Sequence, residues 1–294
     1  MKHAYLITAH KETSVLRTLL MLIDAPCNDI YIHIDAKTKN FDFDKVKTFA
    51  QKSNLIFTDR VKVYWGDYSQ IKSELVLLKA AIGGGGYDYY HLISGQDLPI
   101  KSISEINNFF ENNSGKEFIS LGNAANPIRP TDKGGVFSLY SRLSLYHFGI
   151  KGWRKNKFLK GLEYISILAQ RKLKVDRIAK SKVPVYYGSN WFSITHDCAK
   201  YVIEQEDYIE ELFGKHTRCA DELFLQTVVM NSNLKSRVTG YNLRHIDFNR
   251  GRPYTWHEED LSELLNSKDL FARKFNEDVD GIIIEKLYQT LKNS

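Results

Sequence analysis

The chain has 294 residues, of which 43% are apolar and 26% charged, with a net charge of +6 and three cysteines. These values suit a globular protein with a sizeable core and exclude a disordered, fibrous or disulfide-scaffold chain. No stretch approaches the roughly 18 consecutive apolar residues of a membrane span. The opening Met1-Lys2-His3-Ala4 turns polar too quickly for a signal peptide. A cytoplasmic protein with reduced Cys27, Cys198 and Cys219 is therefore expected.

The charge is uneven. Residues 151–182 hold eleven Lys or Arg against two acids, and the rest of the chain sums to about −3. Within that segment Phe158, Leu162, Ile165, Ala169 and Leu173 recur at helical spacing, so an amphipathic helix with a cationic face is expected. Such a helix suits plain solvent exposure, an anionic acceptor, or an anionic membrane surface at the inner face of the cell membrane. No nucleic-acid motif accompanies the charge, so nucleic acid is not expected as a partner.

In chain order, residues 4–9 read as an apolar strand, 10–23 as a helix and 29–34 as a second strand that ends at Asp35. This is a βαβ unit, and an acid closing its second strand suits contact with a nucleoside. No GxGxxG lies between the first strand and its helix, which argues against a dinucleotide fold. His33 and Asp35 alternate onto one strand face, but a metal site lacks a third ligand nearby. Residues 44–53 read as a helix, 55–57 and 61–64 as short strands, and 69–81 as a helix that the run Gly83 to Gly86 ends.

The central stretch is Tyr89 to Ile93, a β-rich run followed by Ser94-Gly95-Gln96-Asp97-Leu98-Pro99. Asp97 thus lies just past the carboxyl end of a strand, where ligands of open α/β sheets bind. Its alternative role is to cap the turn or the helix near Ser102. Residues 104–112 read as a helix, 117–121 as a strand, and 122–150 as a long irregular segment suited to a lid or acceptor loop. A broken strand-like run spans 185–194, with helices at 197–206, 260–265 and 282–291. Ala220-Asp221-Glu222 opens a further helix, and its acids serve either as first-turn caps or as a general base facing a crevice. The region from Arg244 to Lys274 supplies Arg244, Arg250, Arg252, Arg273 and Lys274, cations suited to a diphosphate.

Taken together, His33-Ile34-Asp35-Ala36-Lys37, Ser94-Gly95-Gln96-Asp97-Leu98-Pro99-Ile100-Lys101, Gly188-Ser189-Asn190-Trp191-Phe192, Ala220-Asp221-Glu222 and Leu270-Phe271-Ala272-Arg273-Lys274-Phe275 resemble the core-2/I-branching β-1,6-N-acetylglucosaminyltransferases and the related peptide O-xylosyltransferases. The resemblance runs from residue 4 to about residue 278. It implies a GT-A type nucleotide-sugar-binding α/β fold, a central mostly parallel sheet flanked by helices. It also implies inversion at the anomeric carbon and activity without a metal or other cofactor. Glu222 takes the place of the family's catalytic base and Asp35 that of its uridine contact. Lys274 with Arg252, or Arg250 in a rival alignment, takes the place of its diphosphate-binding cations. From their positions, Asp97 and Trp191 are expected to shape the sugar pocket.

The sequence thus leads to one glycosyltransferase domain, with residues 1–121 as its nucleotide-binding half and 122–294 as its acceptor-binding and catalytic half. The expected substrates are a UDP-sugar, UDP-GlcNAc first and UDP-xylose as the alternative, and a glycan or lipid-linked glycan of a bacterial surface or capsular polysaccharide. A non-catalytic glycan or nucleotide-sugar binding protein and a metal-dependent transferase are the rival readings.

Overall fold

The computed structural model describes residues 1–122, 125–129, 138–148, 151, 156–179 and 181–292. Much of the expected irregular segment 122–150 and part of the basic segment 151–182 lie outside these residues.

Among the described residues seven strands form the main sheet, and numbered along the chain their spatial order is 3-2-1-4-7-6-8. They are β1 (His3–Ala9), β2 (Asn28–Ile34), β3 (Asn54–Phe57), β4 (Tyr89–Ser94), β6 (Glu117–Ser120), β7 (Phe192–Thr195) and β8 (Val238–Gly240). Strands β3, β2, β1 and β4 run parallel, β7 runs against both neighbours, and β8 is parallel to β6. The α/β architecture with a mostly parallel sheet is therefore present. Strands β1, β2 and β4 are buried over almost their whole length, as expected where helices cover both faces of parallel strands. A small second sheet joins β5 (Asp97–Pro99), β10 (Phe271–Arg273) and β9 (Arg244–Ile246).

The helices are α1 (Ser14–Ile23), α2 (Phe43–Lys47), α3 (Ser69–Gly84), α4 (Ile103–Asn112), α5 (Ser141–Ser144), α6 (Lys157–Lys172), α7 (His196–Glu204), α8 (Glu206–Phe213), α9 (Phe224–Met230), α10 (Leu261–Asn266) and α11 (Ile282–Leu291). One apolar cluster packs α1, α4 and α11 on one side of the main sheet, and a second packs α3, α7 and α9 on the other. Ser102 and Glu105 form a reciprocal capping box at the start of α4. Helix α3 extends to Gly84, and Gly85, at φ +145°, ends it.

Local hydrogen bonding explains where the elements depart from expectation. Helix α1 starts at Ser14 rather than residue 10, because the Thr13 hydroxyl accepts from Leu16 N–H and residues 10–13 stay free to line a cleft. Helix α2 stops at Lys47 because the Asp24 carboxylate draws in the N–H groups of Gln51, Lys52 and Ser53, each at 2.8 Å. Residues 61–64 form no strand. Their N–H groups are spent on side chains: Val61 donates to His33 Nε2 at 2.8 Å, Val63 to Asp35 Oδ1 at 3.3 Å and Tyr64 to Ser69 Oγ at 2.9 Å.

Candidate active site

The parallel strands all deliver their carboxyl ends to one edge, and a cleft of about 1060 Å³ opens there. Its wall runs from Thr8 to Thr13 after β1, through Asp35 after β2 and Ser94 to Gln96 after β4. It continues with Ser120 to Gly122 after β6, and with Tyr187 to Trp191, Asp221 and Glu222. This is the edge where an open α/β sheet gathers its loops over a ligand. Two glycines allow the close approach. A Cβ on Gly188 would sit 1.9 Å from the Ser120 carbonyl oxygen, and one on Gly122 would strike the Tyr187 ring at 2.1 Å.

Asp35 and Glu222 both line this cleft. Asp35 Oδ1 accepts from Lys37 N–H at 2.9 Å, and Oδ2 lies 3.3 Å from the Lys37 ammonium. Its neighbour His33 accepts the Val61 N–H through Nε2, and burial pulls its pKa below the ordinary value. The two side chains meet by holding the 61–63 loop. Among the described residues no group of three or more His, Cys, Asp or Glu is placed to hold a metal.

Glu222 ends a short 3₁₀ turn, Ala220–Glu222, rather than opening the helix, which begins at Phe224. Its carboxylate is 45% exposed, and Arg142 NH1 lies 2.5 Å from Oε2. Beside it Asp221 is buried and accepts from Gln70 Nε2 at 2.8 Å. Burial, and then the Glu222 charge, push Asp221 up to about 7. Deeper in the cleft Glu74, on α3, is almost wholly buried. Burial, and then the Asp221 charge, hold it well above the carboxylate range, with Asn190 acting weakly the other way. Its Oε2 has no hydrogen-bond partner among the described residues. One exposed carboxylate thus stands beside two buried ones whose pKa values burial raises, a division that suits distinct roles.

The other expected residues divide sharply. Trp191 lines the cleft, with the Arg273 guanidinium 4.2 Å above its ring. Asp97 does not line it. The carboxylate is 1% exposed, accepts from Ser94 N–H at 2.7 Å and Ser94 Oγ at 3.0 Å, and lies 3.3 Å from Arg273. It therefore acts through the Ser94 to Gln96 turn and through Arg273, and it caps no helix, since Ser102 fills that role for α4.

Among the cations, Arg250 and Arg244 are engaged by neighbouring groups of the protein. Arg250 is held by Asp247, by Asp260 at 2.7 Å and by Glu263 at 2.9 Å, beneath the rings of Tyr254 and Trp256. Its guanidinium is spent within its own loop and lines no part of the cleft. Arg244 is likewise consumed, donating to Ser193 Oγ at 2.7 Å and to the carbonyls of Leu92 and Phe192. Arg252 is exposed next to the cleft residue Pro253, and Lys274 is half-buried next to the cleft residue Arg273. Neither of the two lines the cleft itself, whereas Arg273 does.

Sequence reasoning missed Arg142, Gln70 and Glu74. Arg142 comes from the irregular stretch and carries no local signal. Glu74 does carry one: it lies three residues after Ile71 and four before Leu78, an acid on the buried stripe of α3.

The model of the Core-2/I-branching enzyme family matches residues 3–270. The chain belongs to that family. It is 24% identical over 306 residues to the N-acetyllactosaminide β-1,6-N-acetylglucosaminyltransferase of Homo sapiens, an alignment covering 97% of this chain and 70% of that protein. It is 23% identical over 309 residues to xylosyltransferase 2 of Canis lupus familiaris, covering 97% of this chain and 33% of that one. The chain thus spans about a third of the length of the xylosyltransferases it matches. Mouse xyloside xylosyltransferase 1 in its apo form aligns with a TM-score of 0.40 at 9% identity, over 92% of this chain and 97% of that one.

Proposed function

We propose that this Core-2/I-branching family member is an inverting, metal-independent glycosyltransferase of GT-A type. It moves a sugar, GlcNAc by preference, from a UDP-sugar to a hydroxyl of a glycan or lipid-linked glycan. The observation that carries the reading is that Asp35 and Glu222, nearly 190 residues apart in sequence, line one cleft at the carboxyl edge of the sheet. Asp35 holds the uridine end and Glu222 the reacting end.

The acceptor hydroxyl attacks the anomeric carbon from the face opposite the diphosphate. Glu222 takes its proton as the new C–O bond forms, and the electron pair of the breaking bond leaves on the diphosphate oxygen. A single displacement inverts the centre and needs no carboxylate nucleophile. Positive charge fixed near the leaving group stabilises the transition state. Arg252 and Lys274 take that role by family motif, and Arg273 is the cation that lines the cleft. The metal-independent reading is supported by Asp97, the acid at the strand end, whose oxygens are engaged by Ser94 and face Arg273.

Residues 1–121 then bind the nucleotide and 122–294 supply acceptor contacts and catalysis. The setting is synthesis of a bacterial surface or capsular polysaccharide at the inner face of the cell membrane. A UDP-xylose donor is the second reading, favoured by the xylosyltransferase relatives.

A thermal-shift series with UDP, UDP-GlcNAc, UDP-xylose, a GDP-sugar and NAD, with Mn²⁺ or EDTA, tests the donor. A ligand at about 100 times its Kd stabilises by roughly 2.7 kcal/mol. Stabilisation by UDP and one UDP-sugar, unchanged by EDTA, is the expected result. A response that requires Mn²⁺ defeats the metal-independent reading, and no response to any UDP compound defeats the donor assignment.

A further inference from the structure

Helix α6 is inside out. Its buried residues are Glu163, Ile167 and Gln170, so two of its three inward anchors are polar. Both are fully used: Glu163 meets His147 Nδ1 at 2.8 Å and accepts from Phe148 N–H at 2.9 Å, while Gln170 bonds both the N–H and the carbonyl of Tyr146. The apolar stripe faces outward instead, with Phe158 71%, Leu162 48%, Ile165 63% and Leu173 76% exposed. Exposed Lys157, Lys172 and Lys174 flank it, within the segment that carries eleven cations against two acids.

An ordinary surface helix buries its apolar stripe and exposes its charges. Here stripe and cations both face away from the protein. Phosphate groups alone would call for the lysines and leave the apolar row unexplained. A second copy would bring the same cations against these and repel them. One surface takes both features, a bilayer whose anionic headgroups meet the lysines while the apolar side chains enter the acyl boundary.

We infer that α6 lies in the plane of an anionic membrane and docks the protein there through Phe158, Leu162, Ile165 and Leu173. The helix is also wired to the candidate site. Glu163 and Gln170 grip residues 146–148, and His147 Nε2 bonds the Ser141 carbonyl at 2.8 Å, at the start of the short α5 that carries Arg142. Arg142 in turn contacts Glu222. Docking would therefore bring the reacting end of the cleft near the lipid surface, which deepens the proposed function by assigning the site a membrane-borne acceptor. That last step rests on the transferase reading, whereas the docking itself does not.

The test is flotation of the full chain with vesicles of phosphatidylcholine alone or mixed with phosphatidylglycerol, at about 0.1 M and about 1 M salt, where the screening length falls from about 10 to about 3 Å. The wild type is expected to float with the anionic vesicles at low salt and to lose most of that binding at high salt. The double variant Phe158→Ser, Ile165→Ser is expected to bind at least about tenfold more weakly with unchanged melting temperature. Three results would overturn the inference: no flotation of the wild type, equal flotation of the double variant, or equal binding to neutral vesicles. A dimer in lipid-free sedimentation that the double variant dissociates would also overturn it, because the face would then be a contact between copies. Flotation without any UDP response would leave the docking standing and defeat the transferase reading alone.

Discussion

Arg142 NH1 stands 2.5 Å from Glu222 Oε2, and both residues line the cleft where the parallel strands end. The guanidinium engages Oε2 alone, which in the proposed reaction orients the carboxylate and leaves Oε1 for the acceptor proton. Arg142→Ala is expected to lower kcat by about 10- to 100-fold through lost orientation, with the donor KM nearly unchanged. Steady-state kinetics against the UDP-sugar check this, and a change confined to KM would place Arg142 in binding alone.

The cations of the 244–274 region are expected to separate into two groups. Arg250→Ala removes the shared partner of Asp247, Asp260 and Glu263, so its effect should appear as a lower melting temperature with UDP affinity retained. Arg252→Ala and Lys274→Ala should do the reverse. Each removes a charge-assisted contact worth about 1.5–3 kcal/mol, roughly 10- to 150-fold in UDP Kd. Calorimetric titration of UDP into the three variants decides it, and a large loss of UDP affinity in Arg250→Ala would support the rival alignment.

Asp97 is expected to matter through stability. Its buried charge faces Arg273, and removing one partner of a buried pair costs about 3–5 kcal/mol. Asp97→Ala should lose about that much in urea unfolding. A loss below about 1 kcal/mol would mean that the pair carries little.

Acidity should favour the fold over a defined range. Asp221 ionises near 3.8 in an ordinary setting and at about 7 in the folded protein. Between those values the native state keeps a proton that the unfolded chain has released. Stability should therefore fall as pH rises from about 4 to about 7, by up to about 1.4 kcal/mol per unit from this group. Glu74 acts in the same direction. Asp221→Asn should flatten the dependence, and urea midpoints of the two proteins across that range measure it. Parallel curves would show that Asp221 does not titrate there.

Periodicity exposed the βαβ start, β4 and α11 plainly, since each is long, apolar and bounded by clear turn signals. What stayed hidden depended on partners far away in sequence. The run Val61 to Tyr64 has strand composition, but its N–H groups go to His33, Asp35 and Ser69. Arg250 looked as available as Arg252, and only the folded loop sets three carboxylates around it. Helix α6 showed its stripe at once, yet periodicity cannot say which face is inward. Its direction is set by Glu163 and Gln170, polar residues whose partners lie in 146–148. Two residues that line the cleft could be picked out in the sequence, Asp35 as an acid closing a strand and Glu222 by family motif. Glu74 and Arg142 could not.

The most direct test of the whole account is the rate of UDP release from the stabilising UDP-sugar, with a glycan acceptor and EDTA present, for the wild type and for Glu222→Gln. The expected outcome is EDTA-insensitive turnover in the wild type and a fall of about 10²–10⁴-fold in the variant, with its UDP affinity intact. Wild-type turnover in Glu222→Gln would contradict the assignment of the base, and with it the chemistry proposed for this cleft.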